Sequence, residues 1–110
     1  MVLVKENIKE AITMLQNLLM NCVENETVVC IHGNVNDFTV RYSSILNEFQ
    51  IEQDEFCLTC GWFELDVRKN ITEISYDEEW GSVHIVFEEG ELYLDIDKDD
   101  NLEWKAKGIV

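Results

Sequence analysis

Between Ile8 and Cys22 the apolar residues Ile8, Ala11, Ile12, Leu15, Leu18, Leu19 and Cys22 recur every three or four positions, while Lys9, Glu10, Gln16 and Asn17 fall between them. That is the period of one helix face, and it predicts a helix over residues 5–23. Asn7 followed by Glu10 reads as a capping box, and Asn25 as a left-handed stop. The apolar stripe needs a surface to cover, and the rest of the chain supplies strands. Thr27 to His32 is a β-branched run that ends in the turn-rich cluster HGNVND, after which Phe38, Val40 and Tyr42 alternate, so a hairpin is expected there. Residues 43–55 carry two periods at once: Ile45, Leu46 and Phe49 fit a short helix, whereas Phe49 and Ile51 fit a strand. Farther on, Phe56 and Leu58 precede Cys60-Gly61, and Phe63, Leu65 and Val67 follow it, the pattern of two strands around a tight turn. ITEISYD, SVHIVF and ELYLDI follow as strands, joined through DEEWG and EEG.

One helix followed by short strands, with no later helix to make a crossover, predicts an α+β fold. The expected architecture is an N-terminal helix packed on an antiparallel, meander-like sheet of about six short strands. With 110 residues, 46% of them hydrophobic, the chain can build one core and is too short for two, so residues 1–110 are expected to form a single globular domain. The opening MVLVKENIKEAITMLQ contains Glu6 and Glu10 and does not read as a signal peptide, and no run approaches the ~18 apolar residues of a membrane span. A cytoplasmic location is expected, in which Cys22, Cys30, Cys57 and Cys60 stay reduced.

Charge changes the picture more than any motif does. The formal net charge is -15, and it is concentrated: residues 48–103 hold 18 acids against Arg68, Lys69 and Lys98. A small domain commonly carries a net charge of ~2 to 8, so this exceeds what solubility asks for. Such a field repels nucleic acid and anionic membranes and steers basic proteins toward the chain. The alternation in ELYLDI sends Leu92, Leu94 and Ile96 one way and Glu91, Tyr93, Asp95 and Asp97 the other, with successive outward acids ~6.6 to 7 Å apart. Glu64 and Asp66 flank Leu65 in the same manner, and Asp77, Glu78, Glu79, Glu88 and Glu89 add charge in the neighbouring turns. These eleven residues form the candidate partner-binding surface, with Trp62, Tyr76, Trp80, Tyr93 and Trp104 as candidate aromatic anchors.

Chemistry of other kinds is weakly represented. DIDKDDNLEWKA lays Asp95, Asp97, Asp99 and Asn101 on the ligand positions of a calcium loop, but Asp100 stands where glycine is required and Ala106 where a bidentate glutamate is required. CLTCG at 57–61 has the spacing of a zinc knuckle, for which Cys30, His32 or Cys22 would have to complete the ligands; the alternative is a hairpin turn at Cys60-Gly61. The two histidines, His32 at a strand end and His84 on the outer side of SVHIVF, neighbour no nucleophile elbow or paired-acid signature, and no glycine-rich phosphate loop is present. Neither an enzymatic activity nor a cofactor or metal is expected.

In size, acidity and helix-plus-sheet layout the chain resembles phage-encoded anti-CRISPR proteins, some of which mimic DNA at the PAM-reading or guide-binding surfaces of Cas effectors. The resemblance extends over the composition of the whole chain and transfers no site residue. It implies a Cas nuclease as partner and the cytoplasm of a host bacterium as location. The same electrostatics suit an immunity protein that neutralises a basic nuclease toxin, and a zinc-stabilised interaction module is the third reading; gene context separates the first two and metal content the third.

Overall fold

The structure, a computed structural model, describes residues 7–35, 37–77 and 79–96 together with the backbone of residues 2–4. The predicted helix is present as α1 (Ile8–Glu24), and it buries Ala11, Ile12, Leu15, Leu18, Leu19 and Cys22 as the spacing requires, with Met14 beside them. Asn7 is its N-cap: the side-chain oxygen accepts from the Lys9 amide at 2.9 Å, relieving one of the unpaired donors of the first turn. The stop falls one residue later than expected. Asn25 has φ -96°, and the left-handed residue is Glu26, at φ 52°. The Thr27 amide then reaches back to the Cys22 carbonyl (2.9 Å) and the Glu26 amide to that of Val23 (3.3 Å), a Schellman closure that turns the chain into the first long strand.

Among the described residues nine strands follow the expected antiparallel pattern, more than the six or so expected in one sheet, and they divide into two sheets because the chain turns a corner at Leu46. They are β1 (Val2–Val4), β2 (Val28–Val35), β3 (Phe38–Ile45), β4 (Glu48–Glu52), β5 (Glu55–Cys60), β6 (Phe63–Val67), β7 (Ile71–Asp77), β8 (Ser82–Phe87) and β9 (Gly90–Asp95). The large sheet has the order β1-β7-β8-β9-β2-β3 and the small one β4-β5-β6. The turn expected at Cys60-Gly61 joins β5 to β6, with Gly61 at φ 60°. The doubly periodic segment 43–55 resolves as the end of β3, all of β4 and the start of β5. Its helix-like spacing marks a corner instead: Leu46 is buried where the chain leaves one sheet, and Asn47 donates its amide to the Thr59 carbonyl (2.9 Å) as the next sheet begins. The HGN stretch is likewise strand, because β2 runs through it to Val35 before the turn containing Asp37 (φ 67°).

The inner faces of both sheets and the stripe of α1 close on one core. Phe56 of β5 meets Phe87 of β8 edge to face at 5.6 Å, Tyr42 of β3 stacks on Phe63 of β6 at 4.4 Å, and Gln16 of α1 donates to the Ile51 carbonyl of β4 at 2.8 Å. Because the inner faces meet, the two outer faces point away from each other. This divides the candidate surface: Glu64 and Asp66 stand on the outer face of the small sheet, and Glu91, Tyr93 and Asp95 on that of the large one.

The joint that makes the large sheet one body is the pairing of β2 with β9, which brings together the first hairpin and the last three strands. Gly33 and Gly90 allow it. Gly33 has φ 153° and Gly90 φ 141°; a Cβ on Gly33 would lie 2.3 Å from the Glu91 carbonyl oxygen, and one on Gly90 2.4 Å from that of Asn34. Two backbones pass here closer than any side chain tolerates.

Candidate functional site

The pairings β7-β8, β8-β9, β9-β2 and β2-β3 set five outward side chains in one row across the large sheet: Ser75, His84, Tyr93, His32 and Arg41. Rings on adjacent strands are spaced by the strand separation, ~4.8 Å, close to a stacking distance. They stack. His84 lies on Tyr93 at 4.2 Å between centroids with 4° between planes, and His32 lies on the other neighbour position of Tyr93 at 5.1 Å and 10°. The result is a ladder of three parallel rings contributed by β8, β9 and β2.

Each imidazole is held by a carboxylate of β9. His32 Nε2 is 2.8 Å from Asp95 Oδ2, and His84 Nε2 is 3.0 Å from Glu91 Oε2. An ionised carboxylate only accepts, so both Nε2 atoms carry the proton, which leaves each Nδ1 as an acceptor while the ring is neutral. The arrangement orients two imidazoles and can hold or relay a proton; among the described residues no serine hydroxyl is hydrogen-bonded to either ring.

Beside the ladder lies a groove of about 630 Å³, lined by Ser75, Asp77, Trp80, Ser82, His84 and Asp95 among others. Its floor is made by the small residues of β7 and β8, and Trp80, 77% exposed, stands in the turn between those strands. Asp77 is oriented by the Glu79 amide, which donates to Oδ1 at 3.0 Å. Of the remaining candidate residues, Glu88 and Glu89 occupy the β8–β9 turn and are tied to Asn70 and Lys69, respectively. Glu78 and Asp97 lie outside the described residues, as do Trp104 and, beyond Ile96, the calcium-loop stretch. Tyr76 faces the core, 1% exposed, and is no surface anchor; Trp62 is fully exposed in the β5–β6 turn.

Sequence reasoning placed Glu91, Tyr93 and Asp95 on one outward face, and the structure puts them there. It missed that His32 is not at a strand end but in mid-β2, and that both histidines flank Tyr93. The signal that could have found the ladder is the shared outward parity of His84 in SVHIVF and Tyr93 in ELYLDI, whose short EEG turn fixes the register between them.

On the small sheet, Glu48, Glu52, Glu55, Glu64 and Asp66 share the outer face with Cys57, and Arg68 neutralises part of it through Asp66 (3.2 Å) and Glu55 (3.8 Å). Cys57 and Cys60 project to opposite faces of β5, so the CLTCG pair does not converge on one ion, and among the described residues no three His, Cys, Asp or Glu side chains are grouped as metal ligands. Burial, then the hydrogen bond to Glu64 and the charges of Glu64, Asp66 and Glu55, push the Cys57 thiol above its ordinary value; burial alone pushes Cys60 up. Exposed Cys30 is therefore expected to react with iodoacetamide well before Cys57, and Glu64→Gln to speed the labelling of Cys57, as read by mass spectrometry of digests. Equal rates at Cys30 and Cys57 would refute this. Since both folded-state values are raised, the stability they contribute is complete below the ordinary thiol range and declines as pH rises through the raised values.

Comparison with family models, with curated proteins and with solved structures finds no match. The chemistry of the site therefore carries the functional reading.

Proposed function

We propose that this protein is a small acidic inhibitor that occupies a basic, nucleic-acid-binding surface of a partner protein and so excludes the nucleic acid. The observation that carries this reading is the outer face of the large sheet. It joins Glu73, Asp77, Glu91 and Asp95 to an exposed Trp80 and an aromatic groove, and among the described residues its strands place one permanent cation there, Arg41. Carboxylates on strands backed by a packed core are held in place, so they meet lysine and arginine without the ordering cost of a flexible acidic tail. Trp80 supplies the kind of large anchor on which binding energy concentrates. A Cas effector is the partner that the resemblance to anti-CRISPR proteins implies, and a basic nuclease toxin fits the same electrostatics.

The test is inhibition rather than capture. Purified protein is titrated into duplex-DNA binding and cleavage assays of a Cas nuclease–guide complex and of basic nuclease toxin domains, at low and moderate salt. Inhibition of one of them, weakened by salt and competed by DNA, is expected, together with no binding of the protein to DNA alone. Tight binding to DNA at moderate salt, or inhibition unaffected by competing DNA, would overturn the reading.

A further inference from the structure

Among the described residues the ring ladder has an unfilled rung. The stack runs His32, Tyr93, His84, one ring per strand from β2 to β9 to β8, and the next position in the row, on β7, is Ser75, directly opposite His84 in register. Serine is too small to stack. Among the described residues no ring covers the second face of His84, and the groove opens there, between His84, Ser75 and Trp80. The neighbouring row of the same sheet face holds Asp77, Ser82 and Asp95, so a carboxylate stands one residue-pair along β7 from the empty rung, and a second two strands away from it. Both carboxylates line the groove.

We propose that this rung receives an arginine side chain of the partner protein, its guanidinium stacked on His84 and hydrogen-bonded to Asp77. The inference rests on the inhibitor reading and names the partner group that the site takes. Three features of the groove select that group. The position is flat, one strand spacing from a ring, so a planar group fits and the tetrahedral ammonium of lysine does not stack. Beside it stands the Asp77 carboxylate, which accepts from a guanidinium and gains from its permanent charge, while Asp95, two strands away and bonded to His32, adds to the negative field of the groove. Trp80 on the same groove offers a second π surface to a cation. A nucleobase is planar too, but its phosphate would enter a field of net charge -15. Ser75 and Ser82 are what keep the place open: their side chains lie on the outer face, away from the core, where larger residues could have been accommodated.

The probe is a short, otherwise neutral peptide bearing one arginine, compared with the same peptide bearing lysine or citrulline, the uncharged planar isostere. Binding is followed by NMR of the backbone amides, the Trp indole protons and the His ring protons. The arginine peptide is expected to shift His84, Ser75 and the Trp80 indole in a saturable way, with the lysine and citrulline peptides weaker by about tenfold or more, because each lacks either the planar fork or the charge. Ser75→Leu should fill the rung and abolish the shifts, and Asp77→Asn should weaken them; unchanged amide dispersion elsewhere shows that both variants fold. Equal binding of arginine and lysine peptides, shifts spread over both sheets, or arginine binding that survives Ser75→Leu would overturn the proposal. The two readings fail separately. If a basic partner is inhibited as well by Ser75→Leu as by the wild type while the arginine peptide shows no saturable shift, the rung falls and the inhibitor reading stands; if the peptide binds at the rung but no basic protein is inhibited, the inhibitor reading falls.

Discussion

Gly33→Ala is expected to be among the most destabilising single substitutions in the chain, and Gly90→Ala to match it. At each position an added Cβ would sit 2.3 to 2.4 Å from a backbone carbonyl oxygen of the facing strand, and backbone cannot swing aside as a side chain can. Strain at the unusual φ contributes about 1–3 kcal/mol, and forcing the strands apart a further ~1–3 kcal/mol. A domain of this size commonly has ~5–15 kcal/mol in total, so one substitution removes a large share and the two together should leave the chain unfolded. Urea denaturation followed by circular dichroism reads the loss. The substitutions act at the β2–β9 joint, so a Gly33→Ala protein that still folds should also lose the stacking of His32 on Tyr93, visible as a change in the His32 ring-proton shifts. A stability within ~0.5 kcal/mol of wild type, the range of an ordinary surface substitution, would show that the two backbones do not pass as closely as described.

Reversing charge on the large sheet should slow association with a basic partner by about ten- to a thousandfold at low salt, the range over which electrostatic steering acts. Glu73→Lys, Asp77→Lys and Glu79→Lys make the appropriate set. Reversing Glu91 and Asp95 would be the first choice from the sequence, since both alternate with buried leucines, but their carboxylates hold His84 and His32, so the ladder would be disturbed along with the charge. The control is the triple variant Glu48→Lys, Glu52→Lys and Glu64→Lys on the outer face of the small sheet, which changes the net charge by the same amount on the opposite side of the molecule. Stopped-flow association across a salt series should show a large effect for the first set and a small one for the second, with added salt narrowing the difference over a Debye length of ~10 Å at 0.1 M. Equal effects would mean that total charge, not the face, draws the partner; a dominant effect of the control set would move the binding surface to the small sheet.

The parts of this protein that the sequence by itself determined are those governed by short range. The helix follows from the three-and-four spacing of Ile8 to Cys22, its N-cap from Asn7, and the outward placement of Glu91, Tyr93 and Asp95 from the period of two in ELYLDI, because each depends on a few neighbouring residues and one dihedral pattern. Even the Cys60-Gly61 turn belongs here. The division into two sheets does not: Ile45, Leu46 and Phe49 carry a helix-like spacing only because the chain turns a corner at Leu46, and what a corner residue packs against lies far away in sequence. The pairing of β2 with β9 is likewise invisible to local pattern, since it joins residues about sixty positions apart and depends on two glycines that look, in sequence, like ordinary turn residues. That pairing alone sets His32 beside Tyr93 and against Asp95. The local pattern of the sequence decided which residues face outward, and the tertiary structure decided which of them meet, since a side chain's direction is set by its own backbone while its neighbours are set by strand order and register.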